Sequence, residues 1–136
     1  MAFNLQSTLE RGPEEQEPRI HPSAYVHPAA QLADDVEVGA CAMVGALSRL
    51  SKDVPPFSTT SGGDEVKVYG LNKVGLRRRG LSRQELDALN DAYRIYQDPQ
   101  LNFSQALEKL QALPQKTAQV AALLGFLTSS QRGVYR

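Results

Sequence analysis

Two histidines, His21 and His27, stand six positions apart and each precedes a proline. An imidazole near neutral pH can accept a proton from a hydroxyl, so each is a candidate general base, for example toward a sugar. His-Pro is equally a good corner dipeptide, because proline presets the backbone for a turn. The only cysteine, Cys41, is a candidate nucleophile or a small packing residue. A single thiol leaves no intramolecular disulfide and no Cys-based zinc site. The sharpest local feature is Gly70-Leu71-Asn72-Lys73-Val74-Gly75-Leu76-Arg77-Arg78-Arg79-Gly80. Guanidinium forks such as Arg77, Arg78 and Arg79 match the oxygens of a phosphate or diphosphate, and Asn72 offers an amide to a sugar or base. An arginine run can also be plain solvated surface. No Gly-rich phosphate loop or Ser-His-Asp signature is present, and with no metal-spaced cluster no metal site is expected.

These residues sit on a chain with a six-residue period. Starting at Ile20, an aliphatic residue recurs at Val26, Leu32, Val38, Val44 and Leu50. Four positions after each comes a second, small or β-branched residue: Ala24, Ala30, Val36, Ala42, Ser48 and Val54. Neither a helix at 3.6 nor a strand at 2 has this period. A coil with three flat sides has it, one aliphatic residue per side pointing to the axis and a small residue at each corner. The expected element is a hexapeptide-repeat parallel β-helix of about two coils over residues 19–57, only about 10 Å tall. Spacing of six puts His21 and His27 on neighbouring sides. So short a stack needs capping or partners, since its open strand edges invite association.

Around this core, residues 1–18 read as a mobile acidic tail with Glu14, Glu15 and Glu17, in which Phe3, Leu5 and Leu9 can form a frayed helix. Val54-Pro55-Pro56-Phe57 is expected to stop the repeat, as prolines remove ladder donors. Residues 58–80 read as loop and junction: Ser58 to Gly63 a polar loop, then a short strand around Val66 and Val68. From residue 81 the pattern is helical. Ser82 with Glu85 forms a capping box, and Leu86, Leu89, Tyr93 and Tyr96 share a face up to Asp98-Pro99. Asn102 with Gln105 marks a second start, with Leu107, Leu110 and Leu113 behind it. A third helix carries Val120, Leu123, Leu124 and Leu127. Three short helices can cover the last coil.

The composition agrees with a small aliphatic core: 136 residues, 41% hydrophobic, 7% aromatic and no Trp. Fifteen basic and 15 acidic residues give zero formal charge, which argues against a general nucleic-acid binder. No apolar run approaches a membrane span and no leader is recognisable, so a cytoplasmic protein is expected.

Several segments resemble one family, the UDP-N-acetylglucosamine O-acyltransferases that begin lipid A synthesis. They are Asp53-Val54-Pro55-Pro56-Phe57, Gly70-Leu71-Asn72 with Gly75-Leu76 and Arg78-Arg79-Gly80, Ser82-Arg83, Tyr93-Arg94, and Ser129-Ser130-Gln131-Arg132-Gly133-Val134-Tyr135-Arg136. Ile20-His21-Pro22-Ser23-Ala24 and Val26-His27-Pro28 are similar to the family's first coil. The resemblance implies a left-handed β-helix, a three-helix C-terminal domain and a homotrimer. It implies UDP-GlcNAc or a similar nucleotide sugar as ligand, an acyl carrier protein as donor partner, and no cofactor. Asn72, Arg78 and Arg79 carry over as nucleotide-sugar contacts. The chain is about half the family's usual length, so its first coil runs almost directly into its last. The central coils with the catalytic histidine motif are expected to be missing, and neither His21 nor His27 inherits that role. Val74 replaces the usual Glu, and Gly63-Asp64-Glu65-Val66 the usual Gly-Asn-Pro-Ala. The expectation is a shortened member that binds nucleotide sugar. The alternatives are retained acyl transfer with His21 or His27 as substitute base, and a non-catalytic trimeric scaffold or regulatory partner of a full-length acyltransferase.

Overall fold

The computed structural model describes residues 17–136; the acidic-tail reading for residues 1–18 lies almost wholly outside the described residues. Six two-residue strands follow in strict rhythm: β1 Arg19–Ile20, β2 Tyr25–Val26, β3 Gln31–Leu32, β4 Glu37–Val38, β5 Met43–Val44 and β6 Arg49–Leu50. Each of the first three pairs in parallel with the strand three places later, β1 with β4, β2 with β5 and β3 with β6. Each residue of β1, β2 and β3 therefore faces the one eighteen positions on, a full circuit of three hexads.

The aliphatic member of each strand points inward. Ile20 lies over Val38, Val26 over Val44 and Leu32 over Leu50, and the second-coil members are almost fully buried. The small corner residues Val36, Ala42, Ser48 and Val54 are buried too. First-coil Ile20 remains 45% exposed, because nothing described stacks above it. Between strands the chain turns tightly, and Asp35, Cys41 and Leu47 take positive φ at successive corners. The hexad rhythm includes these positions without placing glycine at them.

The prolines expected to end the stacking do not end it. Val54 bridges to Val38 in parallel, and a strand β7, Ser58–Ser61, lies parallel on β5 where a polar loop is expected. Pro55 and Pro56 fall between these pairings, where their missing N–H groups break no ladder bond. The following Phe57 turns the corner at φ 69 and donates its own N–H to the Ala40 carbonyl. β8, Lys67–Leu71, then pairs antiparallel with β7 through a bulge and closes this sheet.

Four helices follow among the described residues: α1 Lys73–Arg78, α2 Arg83–Tyr96, α3 Phe103–Gln111 and α4 Ala118–Ser129. α1 occupies part of the expected junction loop. Both expected capping boxes form, Ser82 with Glu85 and Asn102 with Gln105, and Thr117 caps α4. The reciprocal bonds from Ser82, with a further one from Gln119, hold the Glu85 carboxyl below its usual pKa. Leu89, Ala92, Tyr93 and Tyr96 of α2, Leu110 of α3 and Leu123 and Leu127 of α4 form one buried cluster with the coil interior. The rings of Tyr93 and Tyr96 meet edge to face at 6.0 Å.

The C-terminal segment ties helices to coil. Asp53 donates its N–H to Gly133 and accepts from Tyr135 N–H, while its carboxylate takes the Glu37 N–H at 2.9 Å and the Ser130 hydroxyl at 2.6 Å. The Tyr135 hydroxyl accepts from Ser51 N–H, and Tyr96 donates to the Tyr135 carbonyl at 2.7 Å. Tyr93 donates to the Pro56 carbonyl. Burial, reinforced by the neighbouring Tyr96, pushes the Tyr93 phenol well above its usual pKa; burial raises Tyr96 as well, against the opposing pull of Arg136. Below the ordinary tyrosine value, about 10, these shifts cost nothing. Above it the unfolded chain sheds phenolic protons that the fold retains, so stability falls as pH rises toward the raised folded values. The expected slope is roughly 1.4 kcal/mol per pH unit for each tyrosine. Urea midpoints measured at successive alkaline pH values check it, and Tyr93→Phe should shallow the decline. A midpoint flat across that range would contradict the assignment.

Candidate functional site

One corner of the prism gathers most of the residues singled out by chemistry. His21 and Ser23 form it in the first coil, Cys41 lies below in the second, and Phe57 and Asn72 continue the column. Ser23 spans the gap: its hydroxyl accepts the Cys41 N–H at 2.8 Å and meets the His21 Nδ1 at 2.7 Å. Asn72 Nδ2 donates to the Cys41 carbonyl at 3.1 Å, and Asn72 N–H donates to the Phe57 carbonyl at 2.8 Å. Arg79 reaches across from the end of α1 and donates to the Ser23 carbonyl at 3.3 Å.

Asn72 is the N-cap of α1, its Oδ1 accepting the Gly75 N–H at 3.2 Å. The side chain lies so close over Gly75 that a Cβ there would fall 2.4 Å from Nδ2. That contact favours glycine at position 75, since any larger residue there pushes the cap away. Gly80, at φ 84, ends α1. Gly80 N–H bonds the Arg77 carbonyl and Leu81 N–H the Leu76 carbonyl, a glycine-terminated cap that fixes where the arginines emerge. Consecutive helix positions lie about 100° apart, so the three arginines fan out instead of sharing one direction. Arg79 turns to the first coil, while Arg77 and Arg78 are exposed and have no ion-pair partner among the described residues.

The histidines occupy different corners. His21 Nδ1 takes the Ser23 N–H at 3.1 Å as well as facing the Ser23 hydroxyl. His27 Nδ1 takes the Ala29 N–H at 3.0 Å. A backbone N–H donates only to a ring nitrogen with a free lone pair, so each neutral imidazole carries its proton on Nε2. That tautomer spends its basic nitrogen on the turn and presents a donor outward. Cys41 sits half-buried as a free thiol at its left-handed corner, its N–H and carbonyl both engaged in the column. Sequence reasoning missed Ser23, whose only signal is a hydroxyl next to the His-Pro dipeptide.

A stacked parallel coil capped by helices, with an arginine-bearing helix end docked against one corner, defines a hexapeptide-type β-helix protein. Comparison with known proteins narrows this class. Residues 53–135 match the family model described as UDP N-acetylglucosamine O-acyltransferase, domain 2. The chain belongs to this family. It is 41% identical over 105 residues to an acyl-[acyl-carrier-protein]--UDP-N-acetylglucosamine O-acyltransferase of Burkholderia thailandensis, a match covering 74% of this chain and 40% of that protein. The Syntrophobacter fumaroxidans protein of the same name is 40% identical over 98 residues, 72% of this chain and 38% of that one. Among solved structures, the UDP-N-acetylglucosamine acyltransferase of Bacteroides fragilis superposes with a TM-score of 0.81 at 31% identity, over 88% of this chain and 46% of that chain. These matches cover 38–46% of the relatives' own lengths, under half of each.

Proposed function

We propose that this chain is a nucleotide-sugar-binding member of the family that carries out no acyl transfer through His21 or His27. In this reading a left-handed β-helix of about two coils, capped by a three-helix domain, assembles as a cytoplasmic homotrimer. Arg78, with Arg77 and the unused donors of Arg79, takes the diphosphate of UDP-GlcNAc or a similar nucleotide sugar. Asn72 fixes α1 beside it and supplies its second amide hydrogen. The observation carrying this reading is the corner itself: the family's Asn and arginine positions are held against the coil by a defined network, with two guanidinium groups left exposed.

The tautomer of both histidines supports the absence of general-base catalysis. A base toward the sugar hydroxyl needs a free lone pair facing the substrate, and here Nδ1 is committed to each turn while Nε2 carries hydrogen. The second reading, a non-catalytic scaffold or regulatory partner of a full-length acyltransferase, draws on a specific observation too. Asn72 already bonds Gly75 and Cys41, and Arg79 already bonds Ser23, which is what a purely structural junction requires.

Titration calorimetry separates the two. Saturable heat with UDP-GlcNAc is expected, and Arg78→Ala should weaken it roughly tenfold, the loss of a charge-assisted contact. No heat at millimolar ligand leaves the scaffold reading standing. Incubation with hydroxyacyl carrier protein and UDP-GlcNAc is expected to yield no acylated sugar; turnover that disappears in the His21→Ala, His27→Ala double variant would overturn the non-catalytic assignment.

A further inference from the structure

The first-coil corner touches the arginine-bearing helix end. Ser23 is gripped from two sides: Arg79 donates to its carbonyl, while its N–H and hydroxyl face the His21 Nδ1. The imidazole and the guanidinium therefore share one hydrogen-bond partner, Ser23. His21 is exposed, its Nδ1 is occupied, and its outward Nε2–H has no partner among the described residues. Arg79 uses one of five N–H donors on Ser23. Arg77 and Arg78 emerge from the same helix end. The ion pairs among the described residues join Glu37 to Arg19, Asp64 to Arg49, Asp91 to Arg94 and Asp35 to Arg132, none of them involving this group of donors.

We infer that His21 is a hydrogen-bond donor to a phosphate group, completing through Nε2–H an anion site whose other members are Arg78 and Arg79. The inference rests on the nucleotide-sugar reading above and names a further residue of that site. Its physical content is a fixed tautomer: the turn holds hydrogen on Nε2, so the ring acts as a neutral donor without having to be protonated. The same turn chemistry recurs at His27 on a different corner, to which no hydrogen bond from Arg77, Arg78 or Arg79 runs among the described residues, so His27 serves as the internal control. Ser23 is the positioning residue, since its hydroxyl and N–H set the ring.

Asparagine separates the two roles of His21. Its Oδ1 can accept the i+2 N–H as Nδ1 does, in the manner of an Asx turn, while no donor remains at the Nε2 position. His21→Asn is expected to melt with the wild type, yet to bind UDP-GlcNAc and inorganic diphosphate roughly tenfold more weakly; His27→Asn should leave both affinities unchanged. Nitrogen-15 spectra of the wild-type imidazoles supply a readout independent of any variant. They should show both rings protonated on Nε2, with only the His21 resonance moving as diphosphate is added. Wild-type affinity in His21→Asn, a His21 ring protonated on Nδ1, or an unmoved His21 signal during saturable binding would each refute the inference and leave the arginine site intact. If the wild type binds neither UDP-GlcNAc nor diphosphate, the arginine site itself is wrong and the inference falls with it. Loss of UDP-GlcNAc binding with diphosphate binding unchanged would move His21 away from the phosphates and equally reject it.

Discussion

Asp53→Ala is expected to cost about 3 kcal/mol of stability, lowering the melting temperature by roughly 10 °C. Asp53 is buried, at 3% exposure, and its carboxylate accepts from two groups in different parts of the chain, the Glu37 N–H and the Ser130 hydroxyl. Truncation leaves the Glu37 N–H without its acceptor inside the fold. The Ser130 hydroxyl keeps only its longer bond to the Gly133 carbonyl at 3.2 Å. The expense comes mostly from the stranded donor, because an unsatisfied buried polar group loses its full solvation. Asp53→Asn keeps one acceptor oxygen and should cost clearly less. Urea unfolding of the three proteins measures both differences, and an alanine variant within half a kcal/mol of wild type would remove Asp53 from the list of residues that hold coil and C-terminal segment together.

Gly39→Ala is expected to destabilise by roughly 3 kcal/mol or more, although alanine is the smallest possible addition. A Cβ at this position would lie 2.6 Å from the Pro56 nitrogen and 2.7 Å from its Cα. Backbone cannot swing aside as a side chain can, so the second coil must lift off the layer beneath it. That layer is held by the bond from Phe57 N–H to the Ala40 carbonyl and by the Val38–Val54 bridge, so both should weaken together. Gly125 provides the contrast. It lies inside α4 with open space around its Cα, and Gly125→Ala should stabilise by up to about 1 kcal/mol through helix propensity. Thermal melts of the two variants should shift in opposite directions. A Gly39→Ala melt unchanged from or above the wild type would show that the close approach to Pro56 does not constrain this position.

Much of the architecture was legible in the order of residues because it depends on periodic or local properties. The aliphatic series from Ile20 to Leu50 marks the inward positions of six strands, since a triangular coil brings one residue per side to its axis. Ser82 with Glu85 and Asn102 with Gln105 mark helix starts, since a capping box is complete within four residues. The candidate site was legible only as a set of residue types. Asn72, Arg78 and Arg79 stood out by their resemblance to family motifs, but their hydrogen-bond partners did not.

The sequence by itself determined the repeat, the helical cap and the family, because each is written in patterns spanning a few to a few dozen neighbouring residues. Only the tertiary structure decided that stacking continues past Pro55 and Pro56. That outcome depends on where the prolines fall relative to the strand above, and a missing N–H costs nothing between ladder bonds. Only the tertiary structure committed Nδ1 of His21 and His27 to turns, which changes a candidate base into a donor. It also joined Asp53 to Ser130, residues 77 positions apart, and Arg79 to Ser23, 56 apart. Such pairs are set by which coil lies on which and where a helix ends in space. Hydrogen bonds are short and directional, so a chain pattern can nominate the groups, but only stacking brings them to within 3 Å or so of each other.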